Sequence, residues 1–532
     1  MKNKSKTYLI PLSLAICLAI GLWMGHYLTP NARGFQFNSD DEKYSKVKDI
    51  IDVLNSKYVD KVNGDKLFEQ SISDMLHKLD PHSNYISALD LKSLNENIEG
   101  KFAGIGVRFS IIRDTICVTN TILSSPANKV GVESGDKIIK INNKEVSKMK
   151  ITNEKVMKLL KGPENTSVEV TILRGRKTLR KKIIRGVIPI ESIVCASMLN
   201  EDVGYIKLEQ FSLASSYEFT KAANSLKNKG MKKLIFDLRN NGGGVLQAAT
   251  EIVDEFLTNE LPIVKTVGTH SKEIIYRATS KGILEDTKVI ILINSNSASA
   301  SEIVAGALQD NDRAIIMGRR SFGKGLVQED ILLKDGSNLR LTIARYYTPT
   351  GRCIQKPYTE SYDTYLQDQF ERYENGELYK VDSTLLVDSL KFKTPKGKIV
   401  YGGGGILPDV FIPVDTTGLS WYYSDLRYTP VFQNFAFDFL VGKRNNWISI
   451  KSFNATFNVS EKLINDFVLY AEDHFGIPLN EKGLKSSKEV IQYTIKAEIA
   501  RQLWMEQGYY TISAKYDKEI LKALEYFKKT HK

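Results

Sequence analysis

The sequence is poor in the residues from which metal centres and disulfide scaffolds are built. Of 532 residues only four are cysteine and six are histidine. Cys17, Cys117, Cys195 and Cys353 lie far apart with no Cys-x-x-Cys spacing, which excludes a disulfide framework or a cysteine zinc site as the organising principle. No His-Glu-x-x-His occurs, so a zinc peptidase has no ligands to build on. The glycine run Gly242 to Gly244 lacks the Gly-Lys-Ser/Thr ending of a P-loop, and nucleotide binding is not expected. No internal repeat of 20–50 residues stands out. The net charge of +12 is spread along the chain, and its densest basic run, Arg174 to Lys182, alternates with Leu and Thr as a solvated edge strand does. Nucleic acid is therefore not an expected partner, and neither a metal nor another cofactor is called for.

What is present begins at the N-terminus. Lys2, Lys4 and Lys6 precede a charge-free stretch from Tyr8 to Leu28, 21 residues, enough to cross the ~30 Å hydrocarbon layer as a helix. Asp40, Asp41 and Glu42 follow. The positive-inside rule then keeps the N-terminus in the cytoplasm and sends the remainder across. No Ala-x-Ala exit site is seen, so residues 1–30 are read as an uncleaved anchor, with a cleaved signal peptide as the alternative. The expected location is the inner membrane, single-pass, with the bulk of the chain in the periplasm or extracytoplasmic space.

A chain of 532 residues, 42% hydrophobic and 26% charged, is globular and holds two to four domains. Residues 31–98 carry helical spacing (Val47, Ile50, Ile51, Leu54, then Leu67, Ile72, Met75, Leu79) and end in a turn at Asp80-Pro81-His82-Ser83. Residues 99–188 change to short strands around one helix that carries Val156, Leu159 and Leu160. This order resembles a PDZ domain. The resemblance implies that the loop Gly104-Ile105-Gly106-Val107 presents backbone N–H groups to a peptide's terminal carboxylate while the peptide adds a strand.

Residues 189–413 read as α/β. The runs Leu234 to Phe236 and Val289 to Ile293 are continuously apolar, as strands buried on both faces are. Asp335-Gly336 predicts a hairpin between strands Gly325 to Leu333 and Asn338 to Tyr347. Residues 414–532 carry amphipathic helices, Glu461 to His474, Lys488 to Met505 and Asp517 to Phe527, with Ser486 and Glu489 spaced as a capping box before the second. No chemical constellation is found there. A helical accessory domain, for docking an adaptor protein or assembling a homo-oligomer, is expected.

Three segments carry chemistry. Asn294 to Glu302 leaves a buried strand and enters a helix, which places Ser299 at the positive end of the helix dipole. Ser299 and Glu302 are also spaced as a capping box, so on this segment alone Ser299 is as readily a helix cap. Ser321 to Gln328 begins a strand on which Lys324, Leu326 and Gln328 share a face. To act as a general base Lys324 must be neutral near pH 7, and burial lowers a lysine pKa by up to ~3–5 units from ~10.4. Gln328 is placed to accept from its amine. The bland alternative is an exposed lysine in a glycine turn. Asp237 to Gly244 leaves another buried strand, and its glycines can turn N–H groups toward one point, as an oxyanion hole requires; otherwise it is a plain strand-to-helix turn.

Taken together, these motifs resemble the C-terminal processing (tail-specific) serine peptidases. The resemblance covers about residues 41–413: Leu-Asp-Pro-His-Ser at 79–83, the PDZ-like segment, Asp-Leu-Arg-Asn-Asn-x-Gly-Gly at 237–244, Ser-Ala-Ser-Ala-Ser-Glu-Ile at 297–303 and Phe-Gly-Lys-Gly-x-Val-Gln at 322–328. It implies a multidomain α/β fold with a crotonase- or ClpP-like peptidase core, an N-terminal helical segment, a PDZ domain and a mainly helical C-terminal accessory domain. It further implies Ser299 as nucleophile, Lys324 as general base, Gln328 as the residue orienting it, and an oxyanion hole from Ala300 N–H and a glycine of the Gly243–Gly244 pair. The expected activity is that of a serine endopeptidase cleaving extracytoplasmic proteins near their C-termini, with protein or peptide substrates captured through those C-termini. Two departures stand out. Gly242 replaces a frequent proline, which is expected to loosen the oxyanion loop. Residues 357–402 are an insertion, expected as a surface loop near the active site. The rival readings are a non-catalytic PDZ adaptor of the cell envelope and an α/β relative acting on acyl thioesters.

Overall fold

The structure, a computed structural model, describes residues 42–279, 282–358, 362–382, 384 and 386–529. The stretch read as a membrane anchor lies outside the described residues, and among those described no helix is long and apolar enough to cross a membrane. The chain divides into two compact units at Asp74. The first contains helix α1 (Glu42–Lys57) and the start of helix α2 (Gly64–His77). Asn63 opens α2 by accepting the Lys66 N–H on its side-chain oxygen at 3.1 Å.

The second unit begins with the turn at Asp80, a short strand β1 (Asn84–Ile86) and helix α3 (Ala88–Glu99), capped by Ser87 and ended by Gly100 in the left-handed conformation. Strands β2 (Lys101–Gly104), β3 (Val107–Ile112), β4 (Thr115–Thr121) and β5 (Lys137–Ile141) follow, then helix α4 (Asn153–Leu160) and strands β6 (Ser167–Arg174), β7 (Lys177–Ile184) and β8 (Gly186–Pro189). Strands β3, β4, β5, β6 and β7 pair antiparallel in that order. They close over Val156 and Leu160 of α4, burying Ile116, Val118, Ile138, Val168 and Ile172. The basic run falls on β7, an outer strand, and β3 is the opposite edge. Because β2 pairs with β8, the chain enters and leaves this domain side by side.

The core sheet comprises β9 (Ile193–Met198), β10 (Val203–Leu208), β11 (Lys233–Asp237), β14 (Lys288–Ile293), β15 (Ala314–Gly318) and β20 (Val410–Phe411), parallel except for β9. Helices α5 (Ser215–Asn228), α6 (Leu246–Asp254) and α7 (Ala300–Asp310) pack on it. The continuous apolar runs of β11 and β14 are buried throughout, save Lys288 at the start of β14. A second sheet joins β12 (Pro262–Val267), β13 (Ile274–Arg277), β16 (Leu326–Leu332) and β17 (Asn338–Tyr347) with β1. Ligands in such α/β sheets sit at the carboxyl ends of the parallel strands. Both the glycine run after β11 and the serine run after β14 leave from those ends.

The insertion is not the surface loop that its polar composition suggests. It forms helix α8 (Tyr362–Glu374) and a hairpin of β18 (Lys391–Lys393) and β19 (Ile399–Tyr401). It also buries Tyr365 and Arg372, the latter to 1% exposure. Composition hid this because the buried faces are aromatic and charged rather than aliphatic.

The C-terminal region contains helices α9 (Trp421–Arg427), α10 (Val431–Phe439), α11 (Ile450–Thr456), α12 (Glu461–Phe475), α13 (Glu481–Ser513) and α14 (Lys518–Lys529). The expected capping box is wrong: α13 starts five residues before Ser486, capped by Asn480, whose side chain accepts the Gly483 N–H at 2.8 Å. Trp504 and Met505 break its helical backbone, Met505 at a φ of 55°. Around the break it faces two ways. Gln502 O accepts from Asn120 of β4 at 2.9 Å, while Gln507 Oε1 accepts the Ala196 N–H of β9 at 2.9 Å. Asp438 pairs with Arg113 at 2.8 Å, and Glu519 with Arg319 at 2.8 Å. The helical region thus packs on both the PDZ-like domain and the core.

Candidate active site

Ser299, Ala300, Lys324, Gln328, Gly243 and Gly244 line one cavity of about 460 Å³, walled by Ile98, Leu246, Ile303, Leu326 and Val327. The sequence placed them 85 residues apart at the extremes, Gly243 to Gln328; the fold gathers them because three crossover loops end on one side of the core sheet.

Ser299 immediately precedes α7, with φ 55° and ψ −112°. That region is costly for a residue with a Cβ, by about 1–3 kcal/mol, and such strain collects at functional positions. The capping box expected from the Ser299 and Glu302 spacing is formed, and the Glu302 N–H also reaches the Ser299 carbonyl at 2.8 Å, so that N–H keeps a partner when the hydroxyl turns away. The neighbouring serines have other work. Ser297 Oγ donates to Leu238 O and Ser301 Oγ to Asn241 O, both at 2.9 Å, so they clamp the glycine loop from below.

Lys324 lies ahead of its strand rather than on it. The strand opens at Leu326, because the Gly325 N–H is given to Gln355 Oε1 at 2.7 Å, and a bulge falls between Val327 and Gln328. The expected contact is nevertheless made: Lys324 Nζ donates to Gln328 Oε1 at 2.9 Å. Gln328 Nε2 in turn donates to the carbonyl of His82, which fixes the amide's orientation. The turn at Asp80 holds that carbonyl in place, since Asp80 Oδ1 accepts both the His82 and Ser83 N–H at 2.8 Å. Burial, aided by the Arg340 guanidinium, brings the Lys324 ammonium down to about 8 against the opposing pull of Glu302 and Asp80. Burial and the nearby Lys324 push the His82 imidazole down to about 3, so it is neutral.

Glu302, read from sequence only as a cap, joins the two loops. Its buried carboxylate accepts from Ser299 N at 2.8 Å, Lys324 N at 2.8 Å, Gly323 N at 2.7 Å and Ser321 Oγ at 2.6 Å. Burial raises its carboxyl to about 6, with those four donors pulling it back. Tyr346 adds a second tie: its hydroxyl bonds the carbonyls of Ser299, at 3.2 Å, and Lys324, at 2.5 Å. Tyr346 comes from β17, and nothing in its local sequence signals the role.

Of the two glycines, Gly243 is the one beside the serine. A Cβ there would meet Ser299 Cβ at 2.8 Å and Ala300 N at 3.0 Å, and its φ of 101° suits only glycine. Its N–H donates to Asn241 Oδ1 at 2.9 Å, so an oxyanion would compete with that side chain. Gly244 instead abuts the Phe211 carbonyl. Gly242 has open space around it and no positive φ. In the PDZ-like domain, the carbonyls of Ile105 and Gly106 are taken by Ala127 N at 2.8 Å and Ile122 N at 3.0 Å. Gly104 ends β2 and Val107 starts β3, the free edge. This loop does not line the Ser299 cavity. Among the described residues no cluster of His, Cys, Asp and Glu could hold a metal ion.

Residues 202–361 match peptidase family S41, and residues 103–184 match the PDZ domain. Residues 28–89 match the N-terminal domain of the activating protease CtpB, and residues 422–505 a family of unknown function. A carboxy-terminal-processing protease of Bartonella bacilliformis is 37% identical over 350 residues, 64% of this chain and 80% of that protein. The chain belongs to peptidase family S41. It is a C-terminal processing serine peptidase with a PDZ domain. The peptidase is also 37% identical over 320 residues to a probable CtpA-like serine protease of Staphylococcus aureus, covering 59% of this chain and 63% of that one. Among solved structures, the photosystem II D1 C-terminal processing protease is 26% identical, with 59% of this chain and 91% of that one covered at a TM-score of 0.33. A putative S41 protease from Bacteroides fragilis is 14% identical, with coverage of 62% and 97% and a TM-score of 0.35. The adaptor and thioester readings give way to the peptidase.

Proposed function

We propose that the peptidase is an endopeptidase that cleaves extracytoplasmic proteins near their C-termini with Ser299 as nucleophile and neutral Lys324 as general base. The observation carrying this reading is the Lys324 amine: it is half-buried at the wall of the Ser299 cavity, brought down to about 8, and gives one N–H to Gln328 Oε1. A neutral amine has two N–H groups and one lone pair, so the fixed amide leaves the lone pair for the serine proton.

Lys324 takes the Ser299 proton as Oγ attacks the scissile carbonyl. The oxyanion is held by the Ala300 N–H at the start of α7 and by a glycine N–H of the Gly243–Gly244 pair. Lys324 then returns the proton to the departing amine, releasing the C-terminal fragment. A water molecule, deprotonated by the same amine, hydrolyses the Ser299 ester and regenerates the enzyme.

The PDZ domain serves capture: β3 is an open edge to which a peptide adds as a strand, and the Gly104 to Val107 loop receives its carboxylate. Membrane tethering through residues 1–30, with the catalytic part on the periplasmic side, rests on the basic residues before an uncharged stretch. The test is a comparison of C-terminal peptide masses of envelope proteins from cells carrying wild-type or Ser299→Ala enzyme. Extended C-termini in the variant are expected; identical masses would refute the reading.

A further inference from the structure

The insertion helix α8 sits against the loop that carries the base. Arg372, 1% exposed, donates from Nη1 to Ser321 O at 2.9 Å and from Nη2 to Phe322 O at 3.0 Å. Seven residues earlier, on the same face, Tyr365 Oη is 2.7 Å from His82 Nε2. His82 is the residue whose carbonyl holds Gln328, and Gln328 holds the amine. Between them lies Lys356, its Nζ 2.8 Å from Asp368 of α8 and over the rings of Phe322 (4.4 Å) and Tyr365 (3.9 Å). Gln369 of α8 also reaches the serine loop, donating to Asn296 Oδ1 at 3.1 Å.

A polar insertion that merely decorated the surface would keep its arginine in water. Burying a guanidinium is costly unless its donors are used. Here both terminal nitrogens are given to successive carbonyls of the base loop, Nη2 also pairs with Asp368 of α8 at 3.0 Å, and Nε is left without a partner. The most buried charge of α8 is thus committed to residues two and three positions before Lys324.

We infer that α8 is a positioning strut for the general base, with Arg372 acting through the Ser321 and Phe322 carbonyls and Tyr365 through His82. This rests on the proposed role of Lys324. Neither residue touches the reacting atoms; each keeps the base pocket closed and the Gln328 amide aimed. Charges facing Lys324 come from Arg340 on β17, Glu302 on α7 and Asp80 in the turn before β1; those facing His82 are Lys324, Asp80 and Lys356. Loosening the strut admits water to the amine, which moves it back toward an ordinary lysine.

The experiment uses the full-length peptidase with fluorescein-labelled casein as a general substrate. Cleavage by wild type and none by Ser299→Ala is the precondition; its failure would sink the proteolytic reading and not the strut. Tyr365→Phe removes one oxygen and Arg372→Lys removes one of two donors. Phe370→Ser, on the exposed side of the same helix at 64% exposure, is the control. For Tyr365→Phe and Arg372→Lys the acid limb of kcat should move up by about 0.5–1 pH unit, so that kcat at pH 7 falls about three- to tenfold with KM unchanged. Hydrogen exchange at residues 321–325 should quicken in Arg372→Lys. Wild-type midpoints and exchange in both variants, whatever happens to Tm, would reduce α8 to packing. The same shift in Phe370→Ser would also overturn the inference.

Discussion

Glu302 Oε2 accepts the backbone N–H of Lys324 at 2.8 Å, and the same oxygen accepts that of Ser299 at 2.8 Å. One buried carboxylate oxygen therefore sets the spacing of the two loops whose side chains carry the proposed reaction. Glu302→Gln keeps the shape but turns an NH2 toward donors, orphaning at least one buried amide at about 1–3 kcal/mol. Activity should fall by at least about a hundredfold, as it does for small misplacements of reacting groups. Casein cleavage and thermal melting of the variant check both effects.

Ser299→Gly and Ser301→Ala should separate chemistry from scaffolding. Glycine relieves a backbone strain of about 1–3 kcal/mol at the Ser299 conformation and gives back about 0.5–1 kcal/mol in chain entropy. The inactive Ser299→Gly protein should therefore be about 1 kcal/mol more stable than wild type in urea. Ser301→Ala loses the bond to Asn241 O, about 1 kcal/mol, and should keep partial activity. An active Ser299→Gly would refute the nucleophile.

Gly243→Ala places a methyl group 2.8 Å from both the Ala298 carbonyl and Ser299 Cβ, at a φ of 101°. Loss of one oxyanion donor typically costs about a hundred- to a thousandfold in kcat. A loss of that size is expected for Gly243→Ala in a casein assay, whereas Gly242→Pro, at a position with open space and no positive φ, should retain activity.

Much of this site was legible in the sequence, and the reason is local. The strand-to-helix junction at Ser299, the glycine-flanked Lys324 and the glycine run at 242–244 each declare themselves within ten residues. What escaped was whatever depends on contacts between distant segments. Glu302 looked like a cap because its three other donors come from 321–324. Tyr346 and Arg340 reach the cavity from a strand that reads only as a hairpin arm. In α8 the buried face carries Tyr365 and Arg372, residues that periodicity counts as polar or ambiguous, so an ordered element passed for a loop. Likewise α13 begins before its apolar spacing becomes clear, and Asn480 outcompetes the Ser486 signal.

The pH dependence follows from two groups. The proposed mechanism requires neutral Lys324, so activity should rise with pH along a limb centred at about 8. Stability has its own sign. Lys324 binds a proton less readily folded than unfolded, so stability rises with pH between about 8 and the ordinary lysine value. His82, at about 3, is likewise depressed, and its contribution is lost as pH falls from the usual imidazole range toward 3. Urea titrations at several pH values, compared with Lys324→Met, check the first effect.

The most direct measurement is the titration of Lys324 itself, by NMR of 13C-labelled lysine in the Ser299→Ala protein, with the resonance assigned by its absence in a Lys324→Met double variant. A midpoint near 8 is predicted. A midpoint at the ordinary value of about 10.4 would contradict the account, since the amine would then be a solvated cation with no lone pair to offer.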